Sequence, residues 1–228
     1  MAFTGFDRET FRFLLEITFN NNTDWFNANR KRYERCVRDP MRALAAELMP
    51  TALGIDPDFN PSVNASVSRI RRDTRFTYDK SPFRNHMWIA FRYPNKRISE
   101  GCTYYFEITP NGYSYGFGFY AASSAFMAAY RKKLLADPAG FLALAKEVES
   151  AGFFYDSDPF KRDRFPDVKE ELKPYVNVKN FAWTKRFSGV KDVIAPSDIA
   201  ERLKKDMLLA QPMYALMRTV FVSTEDQQ

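Results

Sequence analysis

The sequence is poor in the residue types that form disulfides and transition-metal sites. Its 228 residues include two cysteines, Cys36 and Cys102, and a single histidine, His86. Zinc and iron sites need several suitably spaced ligands, and neither cysteine lies in a CxxC or Cys/His pattern. Two isolated cysteines are typical of buried thiols in a reducing compartment. We therefore expect no metal site and no cofactor, and we predict a cytoplasmic protein.

The sequence also lacks the hydrophobic runs that are typical of secretion signals and membrane spans. The first residues, MAFTGFDRETF, contain no basic stretch followed by an apolar one. The longest uncharged stretch, residues 108–130, is interrupted by Pro110, Asn111 and glycines, and its first half alternates as a β-hairpin does. We therefore expect no membrane span and no membrane partner.

Positive charge is concentrated in one part of the sequence. The chain has 34 lysine and arginine residues and 28 acidic residues, a formal net charge of +6. Residues 65–100 contain nine basic and three acidic residues, so this region alone accounts for the excess. A local surplus of this kind produces a positive field over one surface and attracts anions. The basic residues are Arg69, Arg71, Arg72, Arg75, Lys80, Arg84, Arg92, Lys96 and Arg97.

Hydrophobic spacing predicts helices in the first quarter of the chain, about residues 7–54. Asp7 is suited to cap a first helix and Thr23 a second one. Asp39-Pro40 predicts the start of a third helix, which Gly54 is expected to end.

A change of hydrophobic period to about two predicts a sheet over residues 63–120. The turn at Pro110-Asn111-Gly112 is a strong hairpin signal, because Asn-Gly lies there between two alternating runs. The expected strands lie near residues 65–73, 85–93, 102–109 and 112–120.

The remainder, about residues 124–222, is predicted to be mainly helical, with one further strand. Its expected parts are helices over 124–136 and 138–150, a loop over 152–166, a short helix near 167–172, a strand near 178–187, and helices from Ser197 interrupted at Pro212. Helices, consecutive strands and then helices are typical of the α+β class. We predict a single domain over residues 1–228 with a mainly antiparallel sheet.

Residues 66–86, SVSRIRRDTRFTYDKSPFRNH, are the candidate functional segment, here named the arginine segment. An outgoing strand, a turn-rich connection and a returning strand would bring its basic side chains within a few side-chain lengths. Guanidinium groups bind carboxylates and phosphates through two parallel hydrogen bonds. We predict an arginine-lined pocket for a phosphate- or carboxylate-bearing small molecule, and a catalytic role stays open. The predicted ligands are Arg69, Arg72, Arg75, Lys80 and Arg84.

Three titratable residues of the arginine segment are candidates for proton transfer: His86, Asp73 and Asp79. Neighbouring cations disfavour the imidazolium form, which leaves His86 a neutral base near pH 7. Asp73 and Asp79 could also orient the arginines by accepting hydrogen bonds from them. A purely structural histidine is an open alternative. So is a magnesium site that uses Asp73, Asp79 or Glu107, although neighbouring arginines oppose a bound cation.

The arginine segment follows the pattern R-I-x-R-D-T-R-F-x-x-D-K-S-P-[FY]-[RK]-x-H. In this it resembles a bacterial family, domain of unknown function 2461, and the similarity extends to NNNTDWFNANRKRYE, CTYYFEITPNGYSYGFGFY and QPMYALM. The sequence has Thr77-Tyr78 where Ser-Lys is common, and Arg84 where Lys is common. The resemblance implies no activity, since the family has no established one. The residues that it carries over are Trp25, Asn29, Tyr33, Arg69, Arg72, Asp73, Arg75, Asp79, Lys80, Pro82, Arg84 and His86.

Two alternatives to a small-molecule site stay open, and the sequence does not predict the oligomeric state. Aromatic residues near the basic ones permit base stacking, so nucleic acid could bind through residues 65–100. These aromatic residues are Phe76, Tyr78, Phe83 and Trp88. The second alternative is a structural or interaction domain, in which the arginines pair with carboxylates of this chain or of a partner.

The familiar catalytic and nucleotide-binding motifs do not apply to this sequence. The G-x-S-x-G match at residues 112–116 opens the second strand of a predicted hairpin, whereas a serine hydrolase needs it on a strand-to-helix turn. Its histidine would also have to follow the serine, and His86 precedes it. We find no dinucleotide-binding loop and no Walker sequence.

Overall fold

A computed structural model describes residues 3–94, 96, 101–189 and 198–225 of the chain. Within these ranges, helices precede and follow a five-stranded antiparallel sheet, which confirms the predicted α+β class. The strands are β1 (Met87–Phe91), β2 (Thr103–Thr109), β3 (Gly112–Gly118), β4 (Phe154–Pro159) and β5 (Val178–Ser188). Their order in the sheet is β1-β2-β3-β5-β4.

The chain divides into two compact units, each assembled from several stretches of sequence. Unit 1 comprises Met1–Phe91, Tyr105–Tyr115 and Arg186–Lys205. Unit 2 comprises Arg92–Tyr104, Gly116–Lys185 and Asp206–Gln228. The arginine segment lies entirely in unit 1. The single domain over residues 1–228 stays a prediction.

Unit 1 begins with α1 (Arg8–Phe19), whose predicted cap is confirmed. The Asp7 carboxylate accepts a hydrogen bond from the Thr10 backbone N–H at 2.9 Å. The next helix, α2 (Thr23–Ala28), is capped by Asn22 and not by Thr23, because the Asn22 side chain accepts from the Trp25 N–H at 2.9 Å. Asparagine and threonine both suit this position, so the sequence alone does not decide which of these two adjacent residues is the cap.

The helix start predicted at Asp39-Pro40 is confirmed, but Asp39 does not cap it, because the backbone is already helical before Asp39. The short helix α3 (Arg30–Tyr33) runs through a π-helical turn, Glu34–Arg38, into α4 (Asp39–Ile55). Arg38 already has helical dihedral angles, so the Asp39 carboxylate does not cap and instead accepts from Arg38 Nε at 2.8 Å. Pro40 lies in the first turn of α4, where a missing N–H costs little.

The strand predicted near residues 65–73 is present only as two isolated bridges. Its first part is the helical turn α5 (Val63–Ser66), and the bridges join Val67 to Ile89 and Arg71 to Phe83. Among the described residues, the backbone hydrogen bonds to the returning half involve Ser68, Ile70 and Arg72 alone. The carbonyl groups of Arg69 and Arg71 accept hydrogen bonds from the Arg84 guanidinium instead. The predicted strand near 85–93 is confirmed as β1.

The hairpin predicted at Pro110-Asn111-Gly112 joins β2 to β3. Gly112 has φ +149°, a conformation that side-chain-bearing L-residues rarely adopt. A Cβ atom at this position would lie 2.1 Å from the carbonyl oxygen of Phe187. Glycine is therefore needed at residue 112 both for the backbone conformation and for the close approach of β5.

The loop predicted over residues 152–166 is wrong in part, because β4 lies within it. β4 pairs antiparallel with β5, Tyr155 opposite Trp183, and the two rings are 4.9 Å apart. Its sequence, FYDSDP, contains two aspartates and a proline, which are rare in strands. Such a strand is tolerated at the edge of a sheet, where one side has no partner. The strand predicted near 178–187 is confirmed as β5.

The helices predicted over residues 124–136 and 138–150 are confirmed, and the residue before each helix caps it. In α6 (Ser124–Ala136), Ser123 accepts from the Phe126 N–H at 3.1 Å. In α7 (Pro138–Ser150), Asp137 accepts from the Gly140 N–H at 2.9 Å. The short helix predicted near 167–172 lies slightly later, as a 3₁₀ turn, Glu170–Leu172, followed by α8 (Lys173–Val176).

The C-terminal helices are α9 (Asp198–Leu209) and α10 (Gln211–Glu225), and the predicted start at Ser197 lies outside the described residues. The interruption falls before Gln211, so Pro212 is in the first turn of α10, where proline is favoured. None of the helices within the described ranges has the length and apolar character to cross a membrane.

Candidate functional site

The two halves of the arginine segment run antiparallel and close a loop between Arg72 and Pro82. The Arg72 backbone N–H donates to the Pro82 carbonyl at 2.9 Å, and the Arg84 N–H donates to the Ile70 carbonyl at 2.8 Å. The chain therefore returns beside itself as predicted. This return places Arg72 and Arg84 on adjacent lengths of backbone.

Arg72 is held by Asp79, at the far side of the loop. Arg72 Nη1 donates to Asp79 Oδ2, and Asp79 Oδ1 accepts from the Ser81 backbone N–H at 2.9 Å. Hydrogen bonds from Ser81 and from Arg72 keep the pKa of the Asp79 carboxyl well below its usual range. Asp79 is therefore ionised at neutral pH and orients Arg72, as predicted for an acceptor.

Arg75 is held by Asp73 in the same way, but at a more exposed position. Its Nε and Nη2 atoms donate to the two oxygens of the Asp73 carboxylate at 2.9 and 2.7 Å. These hydrogen bonds lower the pKa of Asp73 to about 2. The side chains are 76% and 55% exposed, so water screens the attraction and the pair contributes little to stability.

The tip of the loop presents aromatic side chains to solvent. Lys80 Nζ donates to the Thr74 carbonyl at 2.9 Å, which closes the base of the tip. Phe76 and Tyr78 lie between these residues, and both side chains are almost fully exposed. Large aromatic side chains with this exposure have no folding role of their own, so they are candidates for contact with a ligand.

Arg84 differs from Arg72 and Arg75, because no carboxylate pairs with it among the described residues. Its Nη1 donates to the carbonyls of Arg69 and Arg71 at 2.8 and 2.7 Å, and its guanidinium carbon lies 5.1 Å from the centre of the Trp88 ring. Burial, and then the charge of Arg72, lower the pKa of Arg84. The Nε and Nη2 atoms make no hydrogen bond in the described part of the chain. Arg84 is thus a half-buried cation with two unused donors.

His86 lies beside this cation. Its ring stacks on Trp88, with centroids 5.6 Å apart, and its Nδ1 is 3.1 Å from the side-chain oxygen of Asn85. Burial lowers the pKa of His86 from its usual value, and Arg84 and Arg72 lower it further. The imidazole is therefore neutral at pH 7, as the sequence predicts, and it can accept a proton or a hydrogen bond.

The remaining basic residues of the charged region are more dispersed. Arg69 is exposed, and its guanidinium makes no hydrogen bond with the residues that the structure describes. Arg92 Nη1 donates to the Lys96 carbonyl at 2.7 Å, and both residues belong to unit 2. Arg97 and Glu100 lie outside the described residues. Within the arginine segment, the basic residues that lie close enough to influence one another are therefore Arg72, Arg84 and His86.

The sequence singles out one asparagine, Asn29, but the asparagine that holds the arginine segment is Asn21. The sequence places Asn29 on an aromatic helix face, and its side chain donates to the Trp25 carbonyl at 3.0 Å. Asn21 was not predicted to contact the arginine segment, yet it hydrogen-bonds the Phe83 backbone through both its amide oxygen and its amide nitrogen. Its only sequence signal is a run of three asparagines, which indicates a helix end.

A comparison with protein families places the chain among related sequences. A family model described as a conserved hypothetical protein (DUF2461) matches residues 9–215. The chain belongs to this family. The DUF2461 match includes every predicted site residue from Arg69 to His86. No curated protein matches the chain.

Metal ligands and reactive thiols are scarce in the described part of this DUF2461 chain. No group of three or more histidine, cysteine or carboxylate side chains is placed there to hold a metal ion. Cys36 and Cys102 are both buried. Burial raises the pKa of the Cys36 thiol to about 12, so this residue is not a reactive thiolate at neutral pH.

Proposed function

We propose that this DUF2461 protein binds a phosphate- or carboxylate-bearing small molecule at the arginine segment, with Arg84 as the central ligand. The observation that carries the proposal is the half-buried Arg84 guanidinium, which has two unused donors and no carboxylate partner among the described residues. An anion stabilises a partly desolvated cation, and its hydrogen bonds to a guanidinium strengthen as water is excluded.

The other predicted ligands would act around Arg84 to different degrees. Arg72 supports the site because Asp79 fixes its side chain close to Arg84 and His86. Arg69 is exposed and can turn toward a bound anion at little cost. Arg75 and Lys80 would join only by exchanging their present partners, Asp73 and the Thr74 carbonyl, for the ligand.

If the bound molecule reacts, His86 is the group best suited to move a proton. Its neutral imidazole adjoins Arg84 and Arg72, whose charges would stabilise a developing anion. Asp73 and Asp79 are the other proposed proton acceptors. Their lowered pKa values make them weak bases, so their stronger contribution is to orient Arg75 and Arg72.

A thermal-shift screen at constant ionic strength tests the binding proposal. The probes are sodium phosphate and a panel of phosphorylated and carboxylated metabolites, with sodium chloride as the reference salt. We expect a saturable rise in Tm with one class of anion, and loss of this rise in Arg84→Gln but not in Arg8→Gln. Arg8 is exposed and makes no side-chain hydrogen bond or ion pair among the described residues, so it controls for charge alone. Equal shifts in both variants would contradict the proposal.

Nucleic-acid binding is the second candidate, and one observation favours it. Phe76 and Tyr78 are almost fully exposed beside Arg75, an arrangement that suits base stacking on a positive surface. Binding of this kind weakens steeply with salt, because bound counterions are released from the phosphates. Single-stranded DNA and RNA are therefore included in the screen, each at two salt concentrations.

A further inference from the structure

A cleft in unit 1 suggests a second ligand site, distinct from the group around Arg84. Its volume is about 480 Å³, and its lining combines α2, α3 and the π-helical turn with residues 70, 71 and 83. Small-molecule sites typically measure roughly 300–1,000 Å³. We propose that this cleft binds a compact molecule with an apolar or aromatic body and a carboxylate or phosphate group. This inference does not depend on the proposed function.

The floor of the cleft is apolar and preformed. Phe26 and Phe83 stack with ring centroids 4.1 Å apart and planes inclined by 20°, and both are buried. Ile70, also buried, lies beside them in the lining. These side chains cannot satisfy the hydrogen bonds of water, so the body of a ligand that contacts them should be apolar.

The rim of the cleft carries two arginines that are not neutralised. The guanidinium carbons of Arg30 and Arg71 lie 6.0 and 5.7 Å from the centres of the Phe26 and Phe83 rings. Neither arginine forms an ion pair with any described residue. Two arginines without a carboxylate partner over an apolar floor select for an anionic group on the ligand.

The acidic residue in the lining does not cancel this charge. Glu34 accepts from Arg38 Nη1 at 2.7 Å, and Arg38 also donates to Asp39 through Nε at 2.8 Å. Arg38 therefore shares its single charge between Glu34 and Asp39, and these three residues together have a net charge of −1. Arg30 and Arg71 still leave the cleft with a net positive charge, which makes a bound cation unfavourable.

A tyrosine in the lining can donate a hydrogen bond to a ligand. Tyr33 is 7% exposed as a residue and lines the cleft, and its hydroxyl has no hydrogen-bond partner in the described ranges. The hydroxyl oxygen is not sealed from solvent, so it is open to a ligand that enters the cleft. Burial raises the pKa of Tyr33 to about 12, so the phenol stays protonated and can donate to an anion. The π-helical turn that follows is a feature often found at functional sites.

Calorimetric titration with phenyl phosphate tests this site, and it is run in the Arg84→Gln variant, which removes the site of the proposed function. Phenol and inorganic phosphate are the partial probes. We expect saturable binding of phenyl phosphate that is at least about tenfold tighter than either partial probe, since both the floor and the arginines contribute.

Substitutions in the same Arg84→Gln background locate the binding. Arg71→Gln and Arg30→Gln should each weaken it by about tenfold or more, as loss of a charge-assisted hydrogen bond does. Tyr33→Phe, which keeps the ring packing, should weaken it by about threefold to tenfold. Arg35→Gln removes an exposed charge outside the cleft and should change it less than about twofold.

Two results would overturn the inference. One is the absence of saturable phenyl phosphate binding both in Arg84→Gln and in the wild-type chain. The other is binding that Arg30→Gln and Arg71→Gln leave unchanged while circular dichroism shows both variants folded. Because Arg84 also holds the Arg71 carbonyl, the two substitutions are repeated in the wild-type background. Binding that is lost in Arg84→Gln and that Arg30→Gln and Arg71→Gln leave unchanged in the wild-type background would support the proposed function alone.

Discussion

Asn21 pairs with the backbone of Phe83 through both polar atoms of its side-chain amide. Its Nδ2 donates to the Phe83 carbonyl at 2.8 Å, and its Oδ1 accepts from the Phe83 N–H at 3.0 Å. The Phe83 ring is held at the same time against Phe26. The returning half of the arginine segment is therefore anchored one residue before Arg84 and three residues before His86.

Asn21→Ala should loosen this anchor and lower the stability of the protein. The substitution leaves the N–H and the carbonyl of Phe83 without their partner, which costs about 1–3 kcal/mol of unfolding free energy. Urea denaturation followed by circular dichroism measures the loss. Asn64→Ala is the matched control, because Asn64 is exposed and makes no side-chain hydrogen bond within the described residues. Equal losses in the two variants would contradict the anchoring role.

Two glycine-to-alanine substitutions should change stability in opposite directions. At Gly112 a Cβ would meet the Phe187 carbonyl, and φ is +149°, so Gly112→Ala should destabilise by at least about 1 kcal/mol. At Gly54, within α4, nothing lies within 4 Å of an added Cβ. Gly54→Ala should therefore stabilise the protein by about 0.5–1 kcal/mol. Thermal unfolding of both variants checks the sign, and a stabilised Gly112→Ala would refute the account of the hairpin.

The parts of the fold that the sequence predicted are those with local causes. The β2–β3 hairpin depends on Asn111-Gly112, and α7 depends on Asp137, which caps it within three residues. β4 had no such signal, because FYDSDP becomes a strand only through its pairing with β5, 19 to 30 residues later. The strand predicted in the outgoing half of the arginine segment is reduced to isolated bridges at Val67 and Arg71 for a similar reason, because its pairing depends on which residues of the returning half lie opposite.

The same distinction applies to the candidate site. The spacing of basic and acidic residues was sufficient to propose, as one of several roles, that Asp79 and Asp73 accept hydrogen bonds from arginines. It could not show that these two acids leave Arg84 without a carboxylate, since that depends on which side chains the folded loop brings together. The contribution of Asn21, sixty-two residues from Phe83, likewise exists only in the folded chain.

The Asp73–Arg75 pair should contribute little to the stability of the fold. Both side chains are mostly exposed, so water and salt screen their attraction. We expect Arg75→Gln and Asp73→Asn to leave Tm unchanged within error, at low and at high salt alike. A clear loss of Tm in both variants, restored by no anion, would instead favour the structural ion-pair alternative for the arginine segment.

The exposed aromatics should separate small-molecule binding from nucleic-acid binding. Phe76 and Tyr78 bury almost no surface, so Phe76→Ala and Tyr78→Ala should leave folding intact. If the ligand is a small anion at Arg84, its affinity should change less than about twofold in either variant. If single-stranded nucleic acid binds, each substitution should cost about 1–3 kcal/mol of binding free energy, as loss of a stacked base does. Fluorescence anisotropy with a labelled oligonucleotide measures the second case.

His86 offers a direct test of the electrostatics, because it is the only histidine in the chain. Burial and the charges of Arg84 and Arg72 lower its pKa below the ordinary value of 6.5, so proton NMR of the imidazole should give a titration midpoint below that value. Arg84→Gln removes one of these charges and should move the midpoint upward. Arg8→Gln, which removes a distant charge, should not.

The lowered pKa of His86 also fixes the direction of a stability change with pH. Between the lowered pKa and 6.5, the unfolded chain binds a proton at this residue and the folded chain does not. The free energy of unfolding therefore loses nothing to His86 protonation above pH 6.5, and it decreases as the pH drops through this window. His86→Gln should flatten this part of the pH profile, measured by urea unfolding between pH 5 and 7.5.

A bound anion should reverse the shift of His86, which links the titration to the proposed function. Negative charge beside Arg84 favours the imidazolium form, so a saturating anion should raise the pKa of His86 toward its ordinary value. The rise should depend on anion concentration with the same midpoint as the Tm shift, and it should disappear in Arg84→Gln. An anion that stabilises the protein and leaves the His86 titration unmoved binds elsewhere, and the assignment of Arg84 as its central ligand would then be wrong.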